Sequence, residues 1–389
     1  MKSHYEVVIV GGSVAAESFV STLADLHGPQ DVLVVDRDAR MPYERPPLSK
    51  GYLSNPDNVE VDVEWEGPTS IVHAEATSVD VGRQSLLLRT DTGIEQQVGF
   101  DRLVIATGAQ PNHLPFEPKG VLSLRSIHDT ENIRISALRG SKVGIIGAGA
   151  IGVELASTLR AMGCEVAVVD QADRPLERLL AGHLGDTIAM WMEDLGIRTF
   201  WKATIQAING EPGRWTVKVA GEPDLEVNTL ISAVGSRPDI GWLAGSGLLT
   251  NGQLLCDEDG RVLFGDLASN TIFGAGDVVT RQLADGTTTR TESWSAASEQ
   301  GSQLAHLLSG TSPIPGTEIP YFWTDVAGRK IQVLGTPDPD GILELESENS
   351  ARGSLLYKVT DAQQNVCAWI GINAAAQIAK LRMAGALGA

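Results

Sequence analysis

Cysteine is scarce in this chain. There are three in 389 residues, Cys164, Cys256 and Cys367, and none falls in a CxxC or CxxxxC spacing. That leaves no disulfide framework and no adjacent redox pair, so the thiols are expected as small core hydrophobes, with Cys164 beginning a strand. Seven histidines, among them His113, His128 and His183, show no metal-ligand spacing, and no metal site is expected. Basic residues are outnumbered, 30 Lys and Arg against 49 Asp and Glu, for a net charge of −19. Such a balance argues against nucleic acid or an anionic membrane as partner. No apolar run approaches the ~20 residues of a membrane-spanning helix. The opening MKSHYEVVIV leads almost directly into a strand-like run and leaves no room for a signal peptide, so a cytoplasmic location is expected.

Glycine, by contrast, is abundant, with 42 residues, and it is organised. GGSVAA (residues 11–16) and GAGAIG (residues 147–152) each follow a short apolar run, residues 7–10 and 143–146, and each opens an Ala-rich apolar segment. That is the strand, glycine turn and helix of a βαβ dinucleotide fingerprint, with phosphate held at the turn. A second apolar run then ends in an acid, VLVVD at Asp36 and VAVVD at Asp170, 25 positions after Gly11 and 23 after Gly147. A carboxylate there accepts both ribose hydroxyls of an adenosine and repels a 2′-phosphate, so NAD and FAD fit and NADP fits poorly. A lone GxGxxG is a weak signal in a glycine-rich chain, and the flanking runs and acids strengthen it. The second copy has all three glycines: Gly147 for the tight turn, Gly149 for approach of the pyrophosphate, Gly152 for helix–strand packing. The first departs from the pattern, with Ser13 in the middle position and Ala16 in the last.

The chain is long enough for two or three domains. Residues 1–109 form one nucleotide unit ending in DRLVIATGAQP, and residues 110–236 a second ending in NTLISAVGSRP. Residues 237–312 carry FGAGD, ending at Asp277, and a predicted helix in TESWSAASEQGSQLAHLLSG, but no fingerprint of their own. They are therefore expected to complete the first unit, which makes the second an insertion. Pro313 and Pro315 mark a linker into residues 313–389, with strand-like runs at 331–334 and 355–359 and a final helix in AAAQIAKLRMAGAL. Two acidic alternating runs, NVEVDVEWE (58–66) and ILELESE (342–348), read as half-buried strands with solvated faces, which suits solubility and edge protection better than docking. No internal repeat appears beyond the duplicated nucleotide unit.

The motifs PYERPPLSKGYL (42–53), LVIATGAQP (103–111), LRSIHDT (124–130), GAGAIGVELA (147–156), AVGSRPD (233–239), IFGAGDV (272–278), RTESW (290–294) and YFWTD (321–325) give the chain a recognisable character. It resembles the two-dinucleotide flavoprotein reductases. Within them it is similar to the putidaredoxin reductase-like ferredoxin reductases that serve Rieske oxygenases and bacterial cytochromes P450, a branch to which RPPLSK is specific. The resemblance is weakest over residues 54–100, which are short for the family, and Ser13 is the other departure. It implies an α/β fold of two Rossmann-like domains, an FAD domain (1–109 and 237–312) interrupted by an NAD domain (110–236), with a smaller α+β C-terminal domain (313–389).

The resemblance also implies roles. Lys50 belongs beside the flavin N5, where a cation stabilises charge on the reduced ring; otherwise it is a surface lysine on a first helical turn. Glu154 pairs with the lysine and touches the nicotinamide ribose, unless it is a solvated helix glutamate. FAD is expected at Gly11, Ser13, Ala15, Ala16, Asp36, Arg45, Lys50, Ala76, Thr107, Gly108, Arg125, Asp277, Trp294 and Trp323. Asp277 would bond a ribitol hydroxyl and can also cap a helix; Arg125 would approach the pyrophosphate; Arg45 is either a second phosphate contact or a partner for nearby acids. Trp294 would line the flavin through its backbone and Trp323 through its ring, with Trp323 also open to the electron acceptor. NAD is expected at Gly147, Gly149, Ile151, Gly152, Glu154, Asp170, Arg174 and Gly235, with Arg174 either stacked on adenine or a surface cation.

Disulfide reductases of the superfamily need a redox cysteine beside the flavin, and this chain has none before position 164. The resemblance therefore implies a NADH-dependent reductase passing single electrons to an external [2Fe–2S] ferredoxin. Rubredoxin is the alternative acceptor, an oxidase passing electrons to oxygen is another possibility, and a slow, NADH-binding sensor like apoptosis-inducing factor is a reading of a different class. Such ferredoxins are acidic, so −19 on the reductase slows encounter. Docking would need a local basic or apolar patch such as Arg329, Lys330 and Trp323.

Overall fold

The computed structural model describes residues 2–28, 31–40, 42–63, 65, 69–312 and 319–385. Its contacts divide the chain into two compact units. One comprises Met1–Glu44, Asp62–Gln110 and Arg237–Thr317; the other comprises Arg45–Val61, Pro111–Ser236 and Glu318–Ala389. The fold is mixed α/β.

At the centre of the first unit five strands run parallel, in the order Leu267–Gly274, Glu95–Ile105, His4–Val10, Val32–Asp36 and Thr69–His73. Val7, Val8, Ile9 and Leu103 are fully buried, so these strands are apolar throughout rather than alternating, as a sheet covered on both faces requires. Leu267–Gly274 follows the second fingerprint by more than a hundred residues, yet it pairs directly with Glu95–Ile105. The helix of the first fingerprint, Val14–Asp25, lies against Trp294–Leu308, the helix expected from TESWSAASEQGSQLAHLLSG. Gly301 permits that approach, since a Cβ there would stand 2.1 Å from the Ala15 carbonyl oxygen.

In the second unit Arg198–Phe200, Glu165–Val169, Lys142–Ile146 and Thr229–Ser232 form a four-stranded parallel sheet, beside a three-stranded antiparallel one. The C-terminal segment adds a five-stranded antiparallel sheet in the order Tyr321–Val326, Arg329–Gly335, Val366–Ile372, Ser354–Thr360 and Ile342–Asn349, then the helix Ala375–Met383. Val326, Ile331 and Ile370 share one apolar cluster with Val143, Val153 and Leu155. This sheet thus continues the core of the second fingerprint.

The two acidic runs part ways. Ile342–Asn349 is an edge strand, as the alternation predicts. Among the described residues of 58–66, only an isolated bridge between Tyr43 and Asp62 forms, although Val61 is buried. Alternation met the period of a strand, but among the described residues no neighbouring strand pairs with it in a ladder. Pro313 and Pro315 lie outside the described residues. Among those described, no helix is long and apolar enough to cross a membrane.

Candidate active site

Both fingerprints fold into the same turn. Gly11 and Gly147 adopt φ of +105° and +101°, and a Cβ would meet the carbonyl oxygen of Ala106 at 2.2 Å or of Ala233 at 2.3 Å. Only glycine tolerates both the dihedral and the approach. Thr107 and Gly108, then Val234 and Gly235, follow those carbonyls at the ends of the neighbouring strands. Thr107 Oγ1 donates to the Asp239 carbonyl at 2.7 Å, and the Gly108 and Gly235 carbonyls accept from the backbones of Asp239 and Asn112.

The acids close each turn from the side. Asp36 accepts from the Gly12 N–H through Oδ2 (2.7 Å) and from the Asp38 N–H through Oδ1 (2.8 Å). Asp170 accepts from Ala148 N–H, one residue past Gly147, and from Ala172 N–H (2.7 Å). Each carboxylate is fixed by its loop and keeps lone pairs for ribose hydroxyls.

The helix termini discriminate further. Elsewhere serine caps the helix: Ser126 forms a capping box at Ile127–Ser136 and Ser293 accepts from Ala296 N–H at Trp294–Leu308. At Val14–Asp25 the side chain of Ser13 makes no cap hydrogen bond, and at Ala150–Ala161 Gly149 has none to offer. A Cβ on Gly149 would have nothing within 4 Å. At Gly149 donors without a side-chain cap stand beside open space and fit a pyrophosphate, and the first turn shares the same glycine geometry and the same lack of a side-chain cap. Ile151 is exposed in the first turn of its helix, while Gly152 lies so close to Gly147 that a Cβ would stand 2.0 Å from its oxygen.

The remaining residues of the first unit gather less uniformly. The FGAGD turn reaches the first fingerprint, where a Cβ on Gly276 would lie 3.6 Å from Ala15 Cβ. Asp277 leads into the strand Val279–Gln282, so the helix-cap role is excluded; its carbonyl accepts from Arg290. Ala16 and Ala76 are buried, Ala76 on the strand Glu75–Asp80. Trp294 is part exposed and its indole N–H donates to Glu44 at 2.5 Å.

In the second unit, the Pro-Pro turn Pro46–Ser49 delivers Lys50 to Glu154 on the second fingerprint's own helix. Lys50 Nζ stands 2.8 Å from Glu154 Oε2 and also donates to the Pro46 carbonyl. Glu154 is 4% exposed, which rules out the solvated glutamate. It accepts further from Ser49 Oγ (2.5 Å), Thr324 Oγ1 (2.7 Å) and Asp325 N–H (3.3 Å). Asp325 Oδ2 lies 4.0 Å from the ammonium. Lys50 is therefore held by a network and is not a surface lysine.

Ser49, Thr324 and Asp325 were not singled out from sequence, although they sit inside RPPLSK and YFWTD, motifs read for their neighbours. Arg125 precedes its helix and donates through its backbone to Asp129; Arg45 begins the Pro-Pro turn. Trp323 stacks on Tyr321, with centroids 5.8 Å apart. Arg174 is engaged by Asp186 and by the Asp173 carbonyl. Arg329 lies 4.5 Å over the Trp191 ring.

The model of the pyridine nucleotide-disulphide oxidoreductase family matches residues 5–301. A probable ferredoxin reductase of Castellaniella defragrans is 28% identical over 93% of this chain and 90% of its own length. A rubredoxin-NAD(+) reductase of Pseudomonas putida is 27% identical over 85% of this chain and 86% of its own. The crystal structure of a ferredoxin reductase from Rhodopseudomonas palustris superposes with a TM-score of 0.87 at 26% identity, covering 98% of this chain and 94% of that one. With two glycine turns, two strand-end acids and a family match over most of its length, this chain is an oxidoreductase and belongs to the pyridine nucleotide-disulphide oxidoreductase family.

Proposed function

We propose that the chain is a cytoplasmic, NADH-dependent, FAD-containing reductase that delivers single electrons to a small [2Fe–2S] ferredoxin serving a Rieske oxygenase or a cytochrome P450. The observation that carries this reading is the pairing of the half-buried Lys50 with the buried Glu154, whose carboxylate is fixed by two hydroxyls and a backbone N–H. A buried ion pair is a poor way to stabilise a fold, and one beside a nucleotide turn is better explained by use of its charge.

Residues 1–109 and 237–312 are assigned to FAD, residues 110–236 to NAD and residues 313–389 to the C-terminal domain. FAD, when bound, supplies the chemistry, accepting two electrons as hydride and releasing them singly. The uncapped N–H groups of Val14–Asp25, with Arg45 and Arg125, carry the pyrophosphate charge; Asp36 takes the ribose and Asp277 a ribitol hydroxyl. Gly147, Gly149 and Asp170 do the same for NADH. Lys50 supplies the cation that favours hydride arrival, and Glu154 holds it in place and reaches the nicotinamide ribose.

An external acceptor is supported by the first 163 residues having no cysteine and by the state of Cys164 and Cys256. Burial pushes the Cys256 thiol up to about 12 and raises that of Cys164 as well, so neither is a ready thiolate. The relative named rubredoxin-NAD(+) reductase keeps rubredoxin as the second reading of the acceptor.

Stopped-flow mixing with NADH, followed by mixing in air with and without [2Fe–2S] ferredoxin and cytochrome c, tests the proposal. Fast bleaching of the flavin with ferredoxin-dependent cytochrome reduction is expected, and Lys50→Ala should slow bleaching at least about tenfold. Rubredoxin outcompeting ferredoxin would shift the reading to the second acceptor. Fast oxygen uptake without a partner would replace the reductase by an oxidase, and long-lived bleaching in air without electron delivery by a sensor.

A further inference from the structure

We infer that the nucleotide preference of the second fingerprint is set by three acids, Asp170, Asp173 and Asp186, the last two of which withhold a pair of cations that would otherwise receive a 2′-phosphate. The inference rests on residues 147–170 being the NAD site. Asp170 is the expected ribose acid, held by the N–H groups of Ala148 and Ala172. Two cations stand on the backbone around it. Lys202 donates its N–H to the Ala172 carbonyl (2.9 Å), and the next residue, Ala203, donates to the Asp170 carbonyl (2.9 Å). Arg174 follows four positions after Asp170.

Both cations are paired with carboxylates. Lys202 Nζ is 2.8 Å from Asp173 Oδ2, and the Arg174 guanidinium is bonded to Asp186 and to the Asp173 carbonyl. Glu193 adds to the negative field at Arg174. The loop between Arg174 and Asp186 fixes their meeting: Leu176, Ala181 and Leu184 adopt left-handed φ, and the Leu176 N–H is tied to the Ala148 carbonyl of the glycine turn. Gly185 packs on the arginine stem, where a Cβ would stand 2.6 Å from Arg174 Cβ. An incoming 2′-phosphate therefore has to compete with carboxylates for both cations. Exposed ion pairs are weak, so with the acids neutralised both cations are free to turn to a phosphate dianion, for which they make stronger charge-assisted bonds.

Calorimetry on the flavin-loaded protein with ADP-ribose and 2′-phospho-ADP-ribose provides the test, independent of turnover. The wild type should bind ADP-ribose at least about a hundredfold more tightly than its 2′-phosphate. Asp170→Ser should narrow that ratio, and Asp170→Ser with Asp173→Ser and Asp186→Ser should strengthen 2′-phosphate binding by a further tenfold or so, with a steeper salt dependence. Adding Lys202→Ala and Arg174→Ala to the triple variant should abolish the gain. A triple variant no better than Asp170→Ser, or a gain that survives loss of both cations, would overturn the inference and leave the NAD reading standing. Failure of the wild type to bind ADP-ribose would overturn both.

Discussion

The two nucleotide turns are near copies in backbone and different in side chain. At the first glycine they coincide, with φ of +105° and +101° and carbonyl oxygens 2.2 and 2.3 Å from the missing Cβ. They diverge at the other two positions. Gly152 is required by its own protein, because a Cβ would strike the Gly147 oxygen. Ala16 occupies the matching place in the first unit and is fully buried there; the tight approach falls instead between helices, at Gly301 against Ala15. Gly149 meets nothing, so the middle glycine answers to the ligand and not to the fold, and Ser13 shows that the fold accepts a side chain there. One fingerprint thus mixes three separate demands: the turn, the pyrophosphate and the packing of the helix.

The comparison can be broken most severely at the shared point. Gly11→Val and Gly147→Val should each cost at least about 3 kcal/mol, since steric overlap adds to the strained dihedral. Denaturant unfolding checks this, and tolerance of either variant would show the turns are not equivalent. Next in size comes the charged network of Lys50 and Glu154 in the second unit. Lys50→Met should destabilise by about 1–3 kcal/mol, discounted because the lysine is partly exposed, and Lys50→Met with Glu154→Gln should recover most of the loss.

The middle position separates fold from ligand. Gly149→Ser should leave stability within about 0.5 kcal/mol, since serine is a good N-cap, while ADP-ribose binding weakens about tenfold. Equal losses in both would make Gly149 structural. A last effect, confined to alkaline pH, concerns the thiol of the first unit. Cys256 is neutral when folded up to about pH 12, whereas an exposed thiol ionises near 9. Its contribution to stability is therefore complete below pH 9 and is lost as the pH rises toward 12. Thermal unfolding of Cys256→Ala should fall less steeply over that window than that of the wild type.

Much of the fold was legible where the cause is local. Apolar runs at 7–10 and 143–146 became fully buried parallel strands, and the glycine turns followed because no other residue fits that dihedral. The described residues of the run at 58–66 form no strand, because a period of two is satisfied within the run whereas a strand also needs a neighbour. Lys50 and Glu154 were singled out through family likeness; spacing alone favoured a surface lysine. Ser49 and Thr324 were missed because their meaning is a hydrogen bond to a residue 105 and 170 positions away.

By itself, then, the sequence determined two dinucleotide turns, their acids and the want of a redox cysteine in the first 163 residues, since each is written in a short segment whose backbone or chemistry admits few alternatives. Only the tertiary structure decided that Glu154 is buried under four donors, that Arg174 and Lys202 are held by Asp186 and Asp173, and that the C-terminal sheet shares the second fingerprint's core. Burial and pairing depend on which distant segments arrive beside a side chain, and no local pattern records that.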